Sequence, residues 1–131
     1  MQPGSFHAEK QYDTLFAGTG LLDWLRERSV DTLTLVGYMT NDCVLASAAE
    51  AETHGLSVEV LSDATGAIGI SDEAGSVDAR TVHTTLLALL DSHWAAVADT
   101  DQWTRAVTAG TTLSGSNVVV SATQAAARSA D

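Results

Sequence analysis

Cys43 is the only cysteine in a chain of 131 residues, and the residues before it are of types that could turn a thiol into a nucleophile. Leu33-Thr34-Leu35-Val36 is an apolar run of strand type, Gly37 breaks it, and Tyr38-Met39-Thr40-Asn41-Asp42 delivers Cys43 to the first turn of an amphipathic helix. At a helix N-terminus the unsatisfied N–H groups and the positive end of the dipole favour a thiolate, lowering a pKa that is about 8.5 for a free thiol. The same N–H groups can stabilise the oxyanion formed when a thiolate attacks a carbonyl. Local chemistry leaves a second reading open, in which Cys43 is an ordinary small hydrophobe buried at a strand–helix junction. Lys10, taken alone, reads as a solvated charge in an N-terminal arm, and Asp13 as a solvated loop carboxylate.

The elements that must position Cys43 follow from the hydrophobic pattern. Thr19 or Gly20 caps a predicted helix over Leu21–Arg28, and Thr32–Val36 is a short apolar strand of the kind buried on both faces of a parallel sheet. The spacing predicts a helix from Asn41 to His54, capped by Thr40 or Asn41 and stopped by Gly55, with Val44, Leu45, Ala48 and Ala51 or Ala49 facing inward. Leu56–Leu61 reads as a second strand and Ser62–Gly66 as a loop at its carboxyl end. A long helix is predicted from Glu73 to His93, a weak strand over Ala95–Ala98, and a helix over Thr100–Ala109 capped by Thr100. Strands alternating with helices imply βαβ units, a parallel sheet and right-handed crossovers. Ligands in such sheets bind at the carboxyl ends of the strands, where both Gly37–Cys43 and Asp63–Gly66 lie.

Composition narrows the function classes. The net charge of −11, from 17 acidic and 6 basic residues, and the lack of any Lys/Arg cluster disfavour nucleic acid and anionic membranes as partners. One cysteine excludes an intrachain disulfide framework, Met1–Ser5 lacks the character of a signal peptide, and the apolar runs are too short to span a bilayer. A soluble, cytoplasmic chain is expected. Residues 1–110 read as one partial globular domain, and 111–131, rich in Ser, Thr and Ala, as a flexible tail with an alternative short strand at Val118–Val120. Gly18-Thr19-Gly20 precedes a helix but follows no strand and lacks the last glycine of a dinucleotide-binding fingerprint.

Gly37-Tyr38-Met39-Thr40-Asn41-Asp42-Cys43-Val44 resembles the signature of the isochorismatase-like cysteine hydrolases, among them nicotinamidases, N-carbamoylsarcosine amidases and ureidoacrylate-type amidohydrolases. The likeness extends to Glu9-Lys10 with Phe16, Thr19 and Leu21, to Ala48–Ala51, Gly55 and Asp63-Ala64, and to His83, covering roughly Ser5 to Trp103. The resemblance implies a three-layer Rossmann-like α/β fold and a Cys–Lys–Asp catalytic set. In that set Cys43 attacks an amide carbonyl, Lys10 favours the thiolate, and water hydrolyses the resulting thioester. It also implies a cis peptide at Tyr38–Met39, an oxyanion hole from the Met39 and Cys43 N–H groups, and a homo-oligomer acting on a small-molecule amide; no cofactor or metal is expected of this chain, since the metal-binding His and Asp of nicotinamidases belong to the region that precedes Ser5. Phe16, Tyr38 and Met39 are candidates for pocket walls, with core packing the alternative for each. Isochorismatases proper cleave a vinyl ether and lack this cysteine, so Cys43 favours amide or related C–N hydrolysis.

The resemblance also implies an earlier strand bearing the catalytic aspartate, and nothing before Ser5 corresponds to it. The chain therefore resembles the C-terminal half of such a hydrolase, a half-sheet lacking N-terminal strands, with Thr32–Val36 left as an exposed apolar edge. Asp13, three residues after Lys10, is a poor substitute for the missing base. Hydrolysis by this chain is expected to be weak or absent. The alternative is a noncatalytic dimerising or binding module derived from the same fold.

Overall fold

A computed structural model of the chain describes residues 4–130. Met1–Pro3, part of the segment judged to lack signal-peptide character, lie outside the described residues, as does Asp131. In chain order the elements are α1 (Leu21–Glu27), β1 (Thr32–Tyr38), a π-helical turn (Thr40–Val44) running into α2 (Leu45–Thr53), β2 (Ser57–Gly66), a hairpin of β3 (Ile70–Asp72) and β4 (Gly75–Val77), α3 (Ala79–His93), β5 (Ala96–Ala98), α4 (Thr100–Ala109) and α5 (Val118–Ser129). None of the described helices is long and apolar enough to cross a membrane.

β1, β2 and β5 form a parallel sheet in the order β1–β2–β5, with helices packed against it. The β1–β2 register runs from Thr32 opposite Ser57 to Leu35 opposite Val60, then slips, so that Gly37 faces Thr65 and Tyr38 faces Gly66. Gly37 has φ of 109°, which a side chain would oppose, and the irregularity re-aims the end of β1 toward the turn that carries Cys43. The core joins Leu35, Val58 and Val60 of the sheet to Val44, Ala48 and Ala51 of the Cys43 helix, Leu25 of α1, Leu90 of α3 and Phe16 of the N-terminal arm. Ala48 and Ala51 are fully buried, and their small size lets α2 lie close on the strands. β1 forms one edge of the sheet, where Val36 and Tyr38 are 58% and 68% exposed.

Several boundaries differ from the sequence reading for identifiable reasons. Ser62–Gly66 is strand rather than loop, because Thr65 and Gly66 extend the pairing with the end of β1. α3 begins at Ala79 rather than near Glu73: Asp72 Oδ1 accepts from Ala74 N to make a turn, Ile70–Val77 becomes a hairpin, and Asp78 is the true cap, accepting from Thr81 N. α4 is capped by Asp99, not Thr100, in a capping box with Gln102. Neither Thr40 nor Asn41 caps the Cys43 helix; Met39 holds that position without a side-chain cap. Val118–Val120, for which a short strand is the alternative reading of the sequence, instead open α5, capped by Asn117 Oδ1 on Val120 N. Ser116 N, just before it, donates to the Asp91 carbonyl of α3.

Candidate active site

Cys43 is half-buried on the π-helical turn between β1 and α2, and its thiol is free. The turn closes through the Met39 carbonyl, which accepts from the Asp42 and Val44 amides at 3.3 Å each. The peptide bond entering it, Tyr38–Met39, is cis. Lys10 Nζ donates to Cys43 Sγ at 3.0 Å, across 33 residues of sequence, and to the Tyr12 carbonyl at 3.2 Å. The contact with Cys43 raises the Lys10 pKa above its ordinary 10.5, opposed by partial desolvation and reinforced by the charges of Cys43, Asp13 and Asp42.

Lys10 reaches the thiol because its arm, which has neither helix nor strand, is pinned at three points. Phe16 is 7% exposed and packs edge-on against the His54 ring at 5.2 Å between centroids. Leu15 N donates to Ser47 Oγ at 2.9 Å, and Thr19 Oγ1 donates to the Leu15 carbonyl at 2.6 Å. Ser47, 1% exposed, stands four residues after Cys43 and so on the same helix face. The sequence reading passed over it, since a serine inside a helix pattern reads as a solvated position. A polar residue at an inward-facing place of an Ala-rich stripe was the available signal.

A cavity of about 230 Å³ opens beside the thiol between Lys10, Leu15, Leu35, Tyr38, Cys43 and Ser47. Tyr38 thus lies at the cavity. Phe16 lies in the core, against His54, and Met39 is half-buried in the turn; neither is among the cavity's walls. A larger cavity, about 470 Å³, sits where β1, β2 and β5 begin, with Thr32, Ser57 and Ala96 on its walls. It is at the opposite end of the sheet from the thiol, and neither a cysteine nor a lysine is among the described residues that line it. The smaller cavity is therefore the candidate site.

Two acidic side chains, Asp13 and Asp42, act electrostatically on Lys10. A hydrogen bond with Asp13 holds the Asp42 carboxyl above the ordinary carboxylate range; desolvation and the charge of Asp13 add to this, and Lys10 opposes it. Asp63, at the carboxyl end of β2, is turned to another use. Its Oδ1 accepts from Thr100 Oγ1 at 2.7 Å and Thr100 N at 2.8 Å, which anchors the start of α4 and lowers the Asp63 pKa. Thr40 is fully buried and its hydroxyl meets His83 Nδ1 at 2.9 Å, while His83 Nε2 meets the Ser62 carbonyl at 2.9 Å. Asn41 Oδ1 accepts from Ile68 N at 3.3 Å. Among the described residues no group of three or more His, Cys, Asp or Glu is placed to hold a metal ion.

Comparison with known proteins adds an independent line. A model of the isochorismatase domain matches residues 1–102. An uncharacterised isochorismatase family protein of Bacillus subtilis, YrdC, is 32% identical over 94 residues, which is 71% of this chain and 50% of that protein. The nicotinamidase/pyrazinamidase of Mycobacterium tuberculosis is 38% identical over 61 residues, 47% of this chain and 33% of that enzyme. A solved structure of an isochorismatase-type protein from Burkholderia xenovorans shares 42% identity with a TM-score of 0.91, covering 95% of this chain and 60% of that one. The chain thus spans half or less of the length of these two curated relatives.

Proposed function

The chain belongs to the isochorismatase family, and on that basis we propose that it carries the thiol–ammonium half of a cysteine amidohydrolase site. The observation that carries this reading is Lys10 Nζ at 3.0 Å from Cys43 Sγ beside an open cavity. A lysine with a raised pKa stays an ammonium at neutral pH and stabilises a thiolate opposite it. The Cys43 thiolate attacks the carbonyl carbon of a small amide, forming a tetrahedral oxyanion against the N–H groups of Met39 and Cys43. The C–N bond breaks as the nitrogen takes a proton from a water molecule in the open cavity, ammonia or an alkylamine leaves, and a thioester remains on Cys43. Water then hydrolyses that thioester to the carboxylic acid and returns the thiol. Nicotinamidase and pyrazinamidase activity, named for the M. tuberculosis relative, points to small aromatic or unsaturated primary amides as the substrate class.

Two of the three groups such a reaction uses are present in this proposal, Cys43 and Lys10. General-base help of the kind an aspartate gives is typically worth about 10²–10⁴ in rate, so turnover by these 131 residues alone is slow and the thioester, once formed, persists because its hydrolysis lacks that base. The experiment is acid-quench mass spectrometry after mixing the chain with nicotinamide and with p-nitrophenyl acetate. An acyl adduct on Cys43, absent in Cys43→Ala and reduced in Lys10→Met, is expected. Acylation spread over other nucleophiles, or undiminished in Cys43→Ala, would remove the proposal.

A second reading, a noncatalytic module that pairs with a partner along β1, draws support from the exposed Val36 and Tyr38 on that edge. It predicts association that Val36→Lys abolishes while the reactivity of Cys43 stays that of an unactivated thiol.

A further inference from the structure

One imidazole ties the turn that holds Cys43 to both α3 and β2. His83 projects from α3 and bridges Thr40, the first residue of that turn, to the Ser62 carbonyl of β2, the strand paired with β1. A carbonyl oxygen only accepts, so Nε2 must carry the proton that it donates to Ser62. Nδ1 of the neutral ring is then an acceptor, and the Thr40 hydroxyl is its donor. Thr40 is fully buried, where a hydroxyl without a partner is costly, so this direction of donation leaves neither group unsatisfied. Thr40 follows Met39 directly and precedes Cys43 by three residues, which places the bridge between the two N–H groups assigned to the oxyanion. The Asn41–Ile68 bond adds a second tie in the same turn, from the loop after β2.

We infer that His83 is a positioning residue of the Cys43 site: as the Nε2–H tautomer it clamps Thr40 to β2 and so fixes the oxyanion donors without touching the substrate. The inference rests on the cysteine-hydrolase reading for its catalytic meaning, though the clamp itself stands on the three-residue geometry. Its chemical consequence is selective. Alkylation of a thiolate develops no oxyanion, whereas acylation does, and donors displaced by a fraction of an ångström fail only the second. A histidine that merely filled space would affect both reactions alike or neither.

The test compares two rates at Cys43 in the full chain, alkylation by iodoacetamide and acylation by p-nitrophenyl acetate, for wild type, His83→Phe, Thr40→Val and Thr40→Ser. Thr40→Val keeps the side-chain shape and removes the donor; Thr40→Ser keeps the donor. Acylation is expected to fall about tenfold or more in Thr40→Val and His83→Phe with alkylation close to wild type, and Thr40→Ser is expected to recover most of the loss. Equal falls in both rates, or no fall in acylation, would overturn the positioning role. Nitrogen-15 NMR of the histidine rings reads the clamp without any chemistry at Cys43. His83 protonated on Nε2, with the Met39 and Cys43 amide signals shifted in Thr40→Val, upholds the clamp even when wild type alkylates but never acylates, an outcome that would refute the hydrolase reading alone. Protonation on Nδ1, or unmoved amide signals, would refute the clamp.

Discussion

Replacing Ser47 by alanine isolates the link between the arm and the thiol. Ser47 Oγ accepts the Leu15 amide at 2.9 Å, and Ser47 is 1% exposed, so its loss leaves that part-buried amide without its protein partner. A buried donor left unsatisfied costs about 1–3 kcal/mol. At about 3–4 °C per kcal/mol for a domain of this size, Tm should fall by roughly 3–12 °C. The lesion is local to the arm, and the same free energy converts into a rise of about 5- to 150-fold in the population with the arm detached. Detachment removes the ammonium from Cys43, so iodoacetamide alkylation at neutral pH should drop toward that of Lys10→Met. The assays are thermal unfolding by circular dichroism, alkylation followed by mass spectrometry, and hydrogen exchange at the Leu15 amide. Unchanged Tm and unchanged exchange would refute the account of the pinning bond. A lowered Tm with wild-type alkylation would refute the claim that the arm delivers Lys10.

Leu90→Ala serves as the contrast: Leu90 is fully buried in the same core, so the change should cost about 2–5 kcal/mol yet leave alkylation of Cys43 unaltered well below the melting range. Lys10→Met should slow alkylation of Cys43 at neutral pH. Because Lys10 acts by raising the thiolate fraction, the difference from wild type should be largest near neutral pH and fade as pH rises past the ordinary thiol range of about 8.5, where Lys10, its pKa held above 10.5, is still an ammonium; a pH series of alkylation rates reads this directly. Asp63→Asn should destabilise at neutral pH. The depressed Asp63 pKa means the stabilisation is present above the ordinary 3.8 and is lost as pH falls through the folded value, so urea midpoints of wild type and variant should converge only at strongly acid pH.

The alternation of strand and helix, the placement of Cys43 after β1 and the inward Ala48 and Ala51 were legible from the sequence because each depends on spacing along a single element. The hairpin of β3 and β4 was not, since Val77 and the residues flanking it also fit the upstream extension of a helix pattern. What separates the two is Asp72 and Asp78, which bond backbone amides two and three residues on, a choice that periodicity does not encode. The end of β2 was hidden for a different reason. Ser62-Asp63-Ala64-Thr65-Gly66 has the composition of a loop, and it stays extended only because the irregular end of β1 pairs with it.

The site divides along the same line. Cys43 was visible because its environment is made by its neighbours in sequence. The groups that decide what it can do come from far away in the chain: Lys10 lies 33 residues before it, the Leu15–Ser47 bond spans 32, and the Thr40–His83 bond spans 43. Each joins a flexible or irregular segment to a regular one. An arm without secondary structure is held to α2, and a π-helical turn is held to α3 and β2. This division has an energetic logic. A thiolate needs a cation and oxyanion donors placed to within a fraction of an ångström, and backbone in an arm or an irregular turn supplies little rigidity of its own. On the proposed reading, rigidity is imported through hydrogen bonds to α2, α3 and β2, so that Ser47 and His83, which take no part in bond making, would determine whether Lys10 and the turn act on Cys43. A lone cysteine at the start of a helix is then chemically ambiguous, and the ties that reach it across the fold are what separate a nucleophile from a packed thiol.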